Sequence, residues 1–311
     1  MPLDARVQAL LNQFQQTGGP SLRTLGATQA RLNFSSAAKM MPTSDIPVGS
    51  VEDRWVKRDS GQDTMIRIYR PKGQGPFPAF VFIHGGGFVL GDVPQYDDMC
   101  RRFTNLADCV TISIEYGLAP EHKFPEPVEE CYEIVRWTHR EAERLGIFPE
   151  KIAVGGDSAG GNLSAVIAQL ARDRKEFPIA YQVLMYPVVD MLGETESKRD
   201  NSTGYFLEGD DMLWFGECYL HTPEETKDPM ASPLLASSFS DLPPACVITA
   251  EFDPLRDEGE AYANRLSEAG VQVHQHRYDG MIHGFMSFTW LLPQAREAIE
   301  EAALQLKKAF A

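Results

Sequence analysis

Short apolar runs separated by longer amphipathic stretches dominate the middle of the chain. Each run suits a strand that is buried on both faces, and each intervening stretch is long enough for a helix. This alternation is typical of a mostly parallel sheet flanked by helices, so the pattern predicts the α/β class. The apolar runs are 79–83, 110–114, 152–154, 182–186 and 245–249.

Two regions depart from this alternation. Residues 1–45 lack strand-like runs and predict two short helices joined by a Gly-Gly-Pro loop. Residues 189–239 are rich in polar and aromatic side chains and contain no convincing buried strand. We expect 189–239 to be an insertion over the carboxyl edge of the sheet, where open α/β folds bind ligands. Residues 46–311 would then form one α/β domain that carries this insertion.

The remaining pattern places elements at the two ends of that domain. Strand-like runs at 52–57 and 64–69 are split by a polar turn. A further strand is expected at 271–278, and 294–310 has the spacing of an amphipathic helix.

Composition and charge narrow the classes of function. The chain has 311 residues, of which 43% are hydrophobic, so a large packed core is expected. It carries 44 acidic and 29 basic residues, a formal net charge of −15. Such a charge repels nucleic-acid backbones and anionic membranes, so neither is an expected partner. No apolar run approaches the roughly 18 residues that a membrane span needs, and the N-terminus lacks the pattern of a secretory signal.

Cysteine usage indicates the compartment. The five cysteines are odd in number and show no paired spacing. Free thiols in a reducing environment, and hence a cytoplasmic location, are the expectation.

A candidate nucleophile lies in Gly156-Asp157-Ser158-Ala159-Gly160, which matches the pattern Gly-x-Ser-x-Gly. The pattern alone is weak, because a glycine-rich turn with an inert serine would also match it. Its context is stronger, since a strand-like run enters it and a helical run at 162–172 leaves it. A strand-to-helix turn this tight exposes the hydroxyl of Ser158 above the sheet.

A serine nucleophile needs a histidine base, and in this arrangement the base follows the serine in sequence. Four histidines do so: His221, His274, His276 and His283. His221 lies in the presumed insertion, and His274 and His276 alternate on one face of a predicted strand. His283 comes in the loop after that strand, so it is the predicted base. A metal site made of the last three is the alternative, but no thiolate or carboxylate cluster accompanies them.

The base needs an orienting carboxylate at the end of the preceding strand. Asp253 follows the run 245–249 and precedes Pro254, which suits the first position of a helix. Asp253 is the predicted acid, with Glu251 and Asp257 as competitors.

The developing oxyanion needs preorganised N–H donors. His84-Gly85-Gly86-Gly87-Phe88 follows the run 79–83, and its glycines let backbone amides approach a ligand. The amide of Ala159 would supply a further donor. A phosphate-binding loop is excluded because no Lys-Ser or Lys-Thr follows the glycines. His84 precedes the nucleophile, so we expect it to support the loop.

Together these segments resemble the bacterial hormone-sensitive-lipase-like carboxylesterases. The matching segments, in chain order, are His84-Gly85-Gly86-Gly87-Phe88, Gly91-Asp92, Tyr116 with Leu118-Ala119-Pro120-Glu121, Gly155-Gly156-Asp157-Ser158-Ala159-Gly160-Gly161-Asn162, Asp253-Pro254-Leu255-Arg256-Asp257 and Ile282-His283-Gly284-Phe285.

The resemblance implies an α/β-hydrolase fold with a helical cap built from 1–45 and 189–239. It implies a triad of Ser158, Asp253 and His283. It also implies an oxyanion hole of the Gly85-Gly86-Gly87 loop and Ala159, in which Gly85 and Asp157 act as support. Esters of short to medium acyl chains would be the substrates, with no cofactor and no metal, and a homodimer is left open.

One position departs from that family. The family usually has Arg after the tyrosine at 116, whereas this chain has Gly117. We expect an acidic neighbour to have lost its partner, so that restoring Arg at 117 would raise the melting temperature.

Two other functions would fit the same scaffold. A non-catalytic small-molecule receptor would have lost the histidine, and His283 is present. Amide or peptide cleavage usually comes with an added recognition domain. Apolar residues at 205–207 and 212–215 could wall an acyl pocket or form the core of the cap, and sequence does not separate these alternatives.

Overall fold

The computed structural model describes residues 2–40, 42 and 45–311, and its centre is one eight-stranded sheet. The strand order is β1-β2-β4-β3-β5-β6-β7-β8. β2 pairs antiparallel with β1 and β4, and every other pairing is parallel, as the apolar runs predicted. The strands are β1 Ser50–Lys57, β2 Asp63–Arg70, β3 Phe77–Ile83, β4 Val110–Glu115, β5 Ile147–Asp157, β6 Gln182–Met185, β7 Ala245–Phe252 and β8 Val273–Ile282.

Helices cover both faces of the sheet. α1, α3 and α10 pack on one face, and α4, α6 and α9 pack on the other. The central strands are buried on both sides, which is why their sequences are apolar without alternation. The helices are α1 Ala5–Thr17, α2 Leu22–Met40, α3 Asp97–Ala107, α4 Glu126–Arg140, α5 Ala142–Leu145, α6 Ala159–Arg174, α7 Glu196–Asp200, α8 Gly209–Tyr219, α9 Arg256–Glu268 and α10 Pro293–Ala309.

Several strands extend beyond the predicted runs, and β5 and β8 do so because of shifts in register. β5 begins at Ile147, because that residue pairs with Phe77 before a shift in register. β8 continues to Ile282, where a loop was expected, because Ile282 pairs with Phe252 beyond a second shift. His283 therefore directly follows the last residue of β8.

Residues of α1, α2 and the segment 189–239 line one cavity together with residues that follow β3, β5 and β8. The segment holds α7, α8 and two short 3-10 turns and has no strand, as expected. α2 packs on α8, and Arg23 and Glu217 form a two-pronged ion pair between them. Within the described part of the chain, no helix combines the length and apolarity that a bilayer crossing requires.

Candidate active site

Ser158 occupies the turn between β5 and α6. Its φ of 53° is rare for a residue with a side chain, and its N–H donates to the carbonyl of Met185 at 2.9 Å. A Cβ on Gly156 would lie 2.0 Å from the carbonyl oxygen of Ile83, and one on Gly160 would lie 1.9 Å from the same atom. Only glycine fits on either side of the serine, which explains the motif.

Three side chains from distant parts of the sequence meet at this turn. His283 Nε2 lies 2.9 Å from Ser158 Oγ, and His283 Nδ1 lies 2.8 Å from Asp253 Oδ2. Asp253 is completely buried, and the other two side chains are nearly so. The structure therefore brings together a hydroxyl, an imidazole and a carboxylate in one hydrogen-bonded line.

The local structure around Asp253 differs from the expectation in one respect. Pro254 does not begin the helix, because α9 starts at Arg256. Asp253 Oδ1 accepts a hydrogen bond from the N–H of Leu255 at 2.8 Å and closes a turn ahead of the helix. This bond fixes the carboxylate while leaving Oδ2 for the imidazole.

The competing carboxylates have other partners. Glu251 accepts a hydrogen bond from the N–H of Gly280 at 2.7 Å. Asp257 accepts from the N–H of Ser197 at 2.7 Å and pairs with Arg256 at 2.8 Å. Both carboxylates hold backbone segments together.

The remaining candidate histidines have other surroundings. His274 and His276 lie on the edge strand β8, and each is hydrogen-bonded to Glu301 of α10 at 2.7 Å. His221 lines the cavity from the insertion. His274, His276 and His283 therefore do not converge on one point, and the alternative of a shared metal site has no geometric support.

The glycine loop after β3 presents backbone amides to the same site. Within the described residues, no protein acceptor takes the N–H of Gly86, Gly87 or Ala159. A Cβ on Gly86 would lie 2.2 Å from the carbonyl oxygen of Leu90, and one on Gly87 would lie 2.4 Å from the ring of Phe215. Glycine is therefore required at both positions, and Gly86 and Gly87 line the cavity.

Asp157 ties this loop to the nucleophile turn. Its Oδ1 accepts the N–H of Gly85 at 2.7 Å, and its Oδ2 accepts the hydroxyl of Tyr96 at 3.3 Å. The N–H of Gly85 is thus already used, so Gly85 supports the loop and does not donate to a ligand. Burial raises the pKa of Asp157 to about 6.

His84 fills the space beneath the loop. Its ring stacks between Tyr96 and Tyr116, with centroids 5.5 and 4.5 Å away, and its Nδ1 lies 2.8 Å from the carbonyl of Gly85. Burial lowers the pKa of His84 to about 4, so the imidazole is neutral at neutral pH.

The expectation about Gly117 is wrong. The acidic neighbour is Glu130, which accepts the N–H of Gly117 at 2.8 Å and lies 3.7 Å from Arg58. Arg58 therefore supplies a buried cation to Glu130 from another part of the chain. A Cβ at 117 would also lie 2.6 Å from the ring of His122. An arginine there would have to displace that ring, so it should lower the melting temperature.

A cavity of about 1060 Å³ lies above Ser158 and His283. Its walls come from the glycine loop, the N-terminal helices, the insertion and the chain after His283. Most of its lining is apolar, as is usual for small-molecule sites.

The structure separates the alternatives left open for 205–207 and 212–215. Trp214 is buried in the core, and Tyr205 packs against Phe252. The others line the cavity: Phe206, Leu207, Met212, Leu213 and Phe215.

Sequence reasoning missed two residues beside the site. Arg31 on α2 donates to the carbonyls of Val89 and Ala119 at 2.8 and 2.7 Å, which anchors that helix to the segments after the glycine loop. Tyr186 lies edge-on to His283 with 5.0 Å between the centroids. No local pattern reveals either contact, because the partners are far away in sequence.

Comparison with known proteins agrees with this geometry. A family model described as the α/β-hydrolase fold matches residues 80–287. The carboxylic ester hydrolase LipN of Mycobacterium tuberculosis is 42% identical over 83% of this chain and 70% of its own length. An arylesterase of Saccharolobus solfataricus is 36% identical over 92% of this chain and 93% of its own.

Solved structures give the same result. A hyperthermophilic esterase from Pyrobaculum calidifontis is 43% identical, with a TM-score of 0.92 over 100% of both chains. A thermostable esterase from Pseudomonas putida is 35% identical, with a TM-score of 0.96 over 100% of this chain and 98% of its own.

The chain therefore belongs to the α/β-hydrolase fold family. Within it the chain is a carboxylic ester hydrolase, and the resemblance to the hormone-sensitive-lipase-like carboxylesterases is confirmed.

Proposed function

We propose that the protein cleaves esters through a covalent acyl-enzyme on Ser158. The observation that carries the proposal is the continuous line of hydrogen bonds from Ser158 through His283 to Asp253. In the first step His283 takes the proton of the hydroxyl as Ser158 Oγ attacks the carbonyl carbon, and it then gives that proton to the departing alcohol. In the second step His283 activates a water molecule, which releases the carboxylic acid.

The amides of Gly86, Gly87 and Ala159 are the proposed oxyanion hole. Their N–H groups have no protein acceptor within the described residues, so they are free to receive the oxygen of the tetrahedral intermediate. Asp157 and the neutral ring of His84 keep the loop in place. A preformed arrangement of this kind stabilises charge without reorganisation during the reaction.

The cavity supports small esters as substrates. Its apolar walls favour short- to medium-chain acyl groups. We propose that α1, α2 and the insertion 189–239 act as the cap that forms these walls. The mechanism uses no cofactor.

Covalent labelling tests the nucleophile. An activated phosphonate ester should add one label per chain, on Ser158, and abolish turnover of p-nitrophenyl butyrate. Ser158→Ala should take up no label and lose about 10⁴-fold or more in turnover. Stoichiometric labelling of another residue would refute the mechanism.

A matched pair of substitutions tests the acid. Asp253→Asn should lower turnover by about 10⁴-fold, because the imidazole loses its orienting carboxylate. Asp257→Asn is the control, since Asp257 bonds to Ser197 and Arg256, and its turnover should stay within about twofold of the parent. Equal losses in the two variants would contradict the assignment.

A further inference from the structure

Phe206 lies at the centre of a strained turn in the insertion. The N–H of Leu207 donates to the carbonyl of Tyr205 at 3.0 Å, and φ of Phe206 is 79°. This is a γ-turn of the positive-φ kind, which is rare and strained, and a bulky side chain makes that φ more costly. Backbone strain of this kind persists only where the surroundings hold it, and it is concentrated at functional sites.

The turn is held from both sides. The ring of Tyr205 stacks on Phe252, 5.2 Å between centroids, at the end of β7 and one residue before Asp253. The N–H of Gly204 donates to Glu208 Oε1 at 2.9 Å, and this bond joins the residues before and after the turn. The strained backbone is therefore fixed relative to the catalytic acid.

The ring of Phe206 fills a gap between three elements. It lies 5.6 Å from the ring of Phe14 on α1 and 5.8 Å from the ring of Phe288. Its Cε1 lies 3.5 Å from the place where a Cβ on Gly284 would stand, and Gly284 directly follows His283. The ring also lines the cavity. The strained turn thus places an aromatic wall beside the catalytic base.

The direction of proton transfer indicates which group of the ester, alcohol or acyl, lies next to Phe206. This step depends on the proposed function, in which His283 Nε2 gives a proton to the departing alcohol oxygen. The alcohol group must therefore lie on the His283 side of Ser158 Oγ. We propose that Phe206 limits the size of the alcohol group, while the acyl group is bounded by other parts of the cavity.

Two ester series separate the alcohol side from the acyl side. The first keeps acetate and varies the alcohol from ethanol through benzyl alcohol to naphthylmethanol. The second keeps p-nitrophenol and varies the acyl chain from acetate to decanoate. In Phe206→Ala the ratio of kcat/KM for naphthylmethyl acetate to that for ethyl acetate should rise about tenfold, as is typical when a pocket wall is removed. The chain-length profile of the second series should stay within about twofold of the parent.

Leu32→Ala provides the matched control. Leu32 is a large apolar side chain on α2 that is 58% exposed and does not line the cavity. Both ester profiles of this variant should match the parent. A change in its alcohol profile equal to that of Phe206→Ala would show a general effect of lost apolar surface and would overturn the proposal.

A second substitution measures the strain. Phe206→Gly removes the same ring but adopts a φ of 79° without a steric cost, whereas Phe206→Ala keeps the cost. The alcohol profiles of the two variants should agree, and Phe206→Gly should melt at the higher temperature. A lower melting temperature for Phe206→Gly would contradict the strained turn.

The outcomes distinguish this inference from the proposed mechanism. If phosphonate labels Ser158 but the alcohol profile of Phe206→Ala is unchanged, or if only the acyl profile shifts, the role of Phe206 is refuted and the mechanism stands. If phosphonate does not label Ser158, the mechanism itself fails.

Discussion

At the scale of single residues, a buried carboxyl group next to Ser158 has an unusual energetic role. Asp157 is 4% exposed and accepts hydrogen bonds from Gly85 and Tyr96, and neither of these donors is a cation. Two neutral donors compensate only partly for removing a charge from water. Ionised Asp157 therefore orients the glycine loop at a cost in folding free energy.

The pKa of Asp157 predicts how that cost depends on pH. Burial raises the pKa to about 6, against about 3.9 in an unfolded chain. The folded state binds the proton more tightly, so ionisation opposes folding: the cost is absent below about pH 4, grows between about 4 and 6, and is constant above that range.

Asp157→Asn removes the charge and keeps an acceptor for Gly85. The free energy of unfolding of this variant, minus that of the parent, should grow by about 2–3 kcal/mol between pH 4 and pH 7. Urea denaturation at several pH values measures the difference. A difference that does not change with pH would contradict a raised pKa at this position.

At the scale of elements, the attachment of α2 fixes one wall of the cavity. α2 contains a break at Gly26, where φ is 69°, and its later half carries Phe34 into the cavity wall. Arg31 anchors that half through two backbone carbonyls and a two-pronged ion pair with Glu121. The guanidinium is well suited to this role because its fork reaches several acceptors at once.

Arg31→Gln should loosen this wall. We expect KM for p-nitrophenyl butyrate to rise about fivefold with a smaller change in kcat, because losing the carbonyl bonds costs about 1 kcal/mol of helix docking. Arg23→Gln is the control, since the exposed pair between Arg23 and Glu217 should contribute little. Steady-state kinetics of the two variants provide the measurement, and equal effects would show that the carbonyl bonds of Arg31 carry no special weight.

At the scale of the whole molecule, charge selects among substrates. The net charge is −15. Of the cavity-lining residues that the structure describes, Lys198 is the sole lysine or arginine, and its Nζ lies 2.5 Å from the buried carboxylate of Glu258. Asp211 and Glu194 line the same cavity. The site is therefore electrostatically unfavourable for anions.

A matched pair of esters, one neutral and one carrying a distal carboxylate, tests this selection. The anionic ester should have the lower kcat/KM at low salt. Raising the NaCl concentration from about 20 to 500 mM should increase its kcat/KM several-fold, because salt screens the repulsion. The neutral ester should stay within about twofold over the same range. A preference for the anionic ester at low salt would contradict the prediction.

Much of the site could be predicted because its chemistry requires particular residues at particular places. The turn at Ser158 accepts only glycine at 156 and 160, so the proposed nucleophile lies in a recognisable local pattern. Chain order and strand ends then left few choices for the base and the acid. Boundaries were harder: β8 reaches Ile282 because of a register shift with β7, which depends on the partner strand and not on the local sequence.

The sequence by itself determined the class of fold, the order of the elements and the three side chains that meet at the site, Ser158, Asp253 and His283. Those features follow from apolar periodicity, from glycines that no other residue can replace, and from chain order and strand ends. Only the tertiary structure decided that Arg58 pairs with Glu130, the carboxylate beside Gly117, that Arg31 anchors α2, and that Phe206 packs against Gly284, the residue after His283. Each of these contacts joins residues that are far apart in the chain, and a local sequence pattern does not determine the distance between such residues.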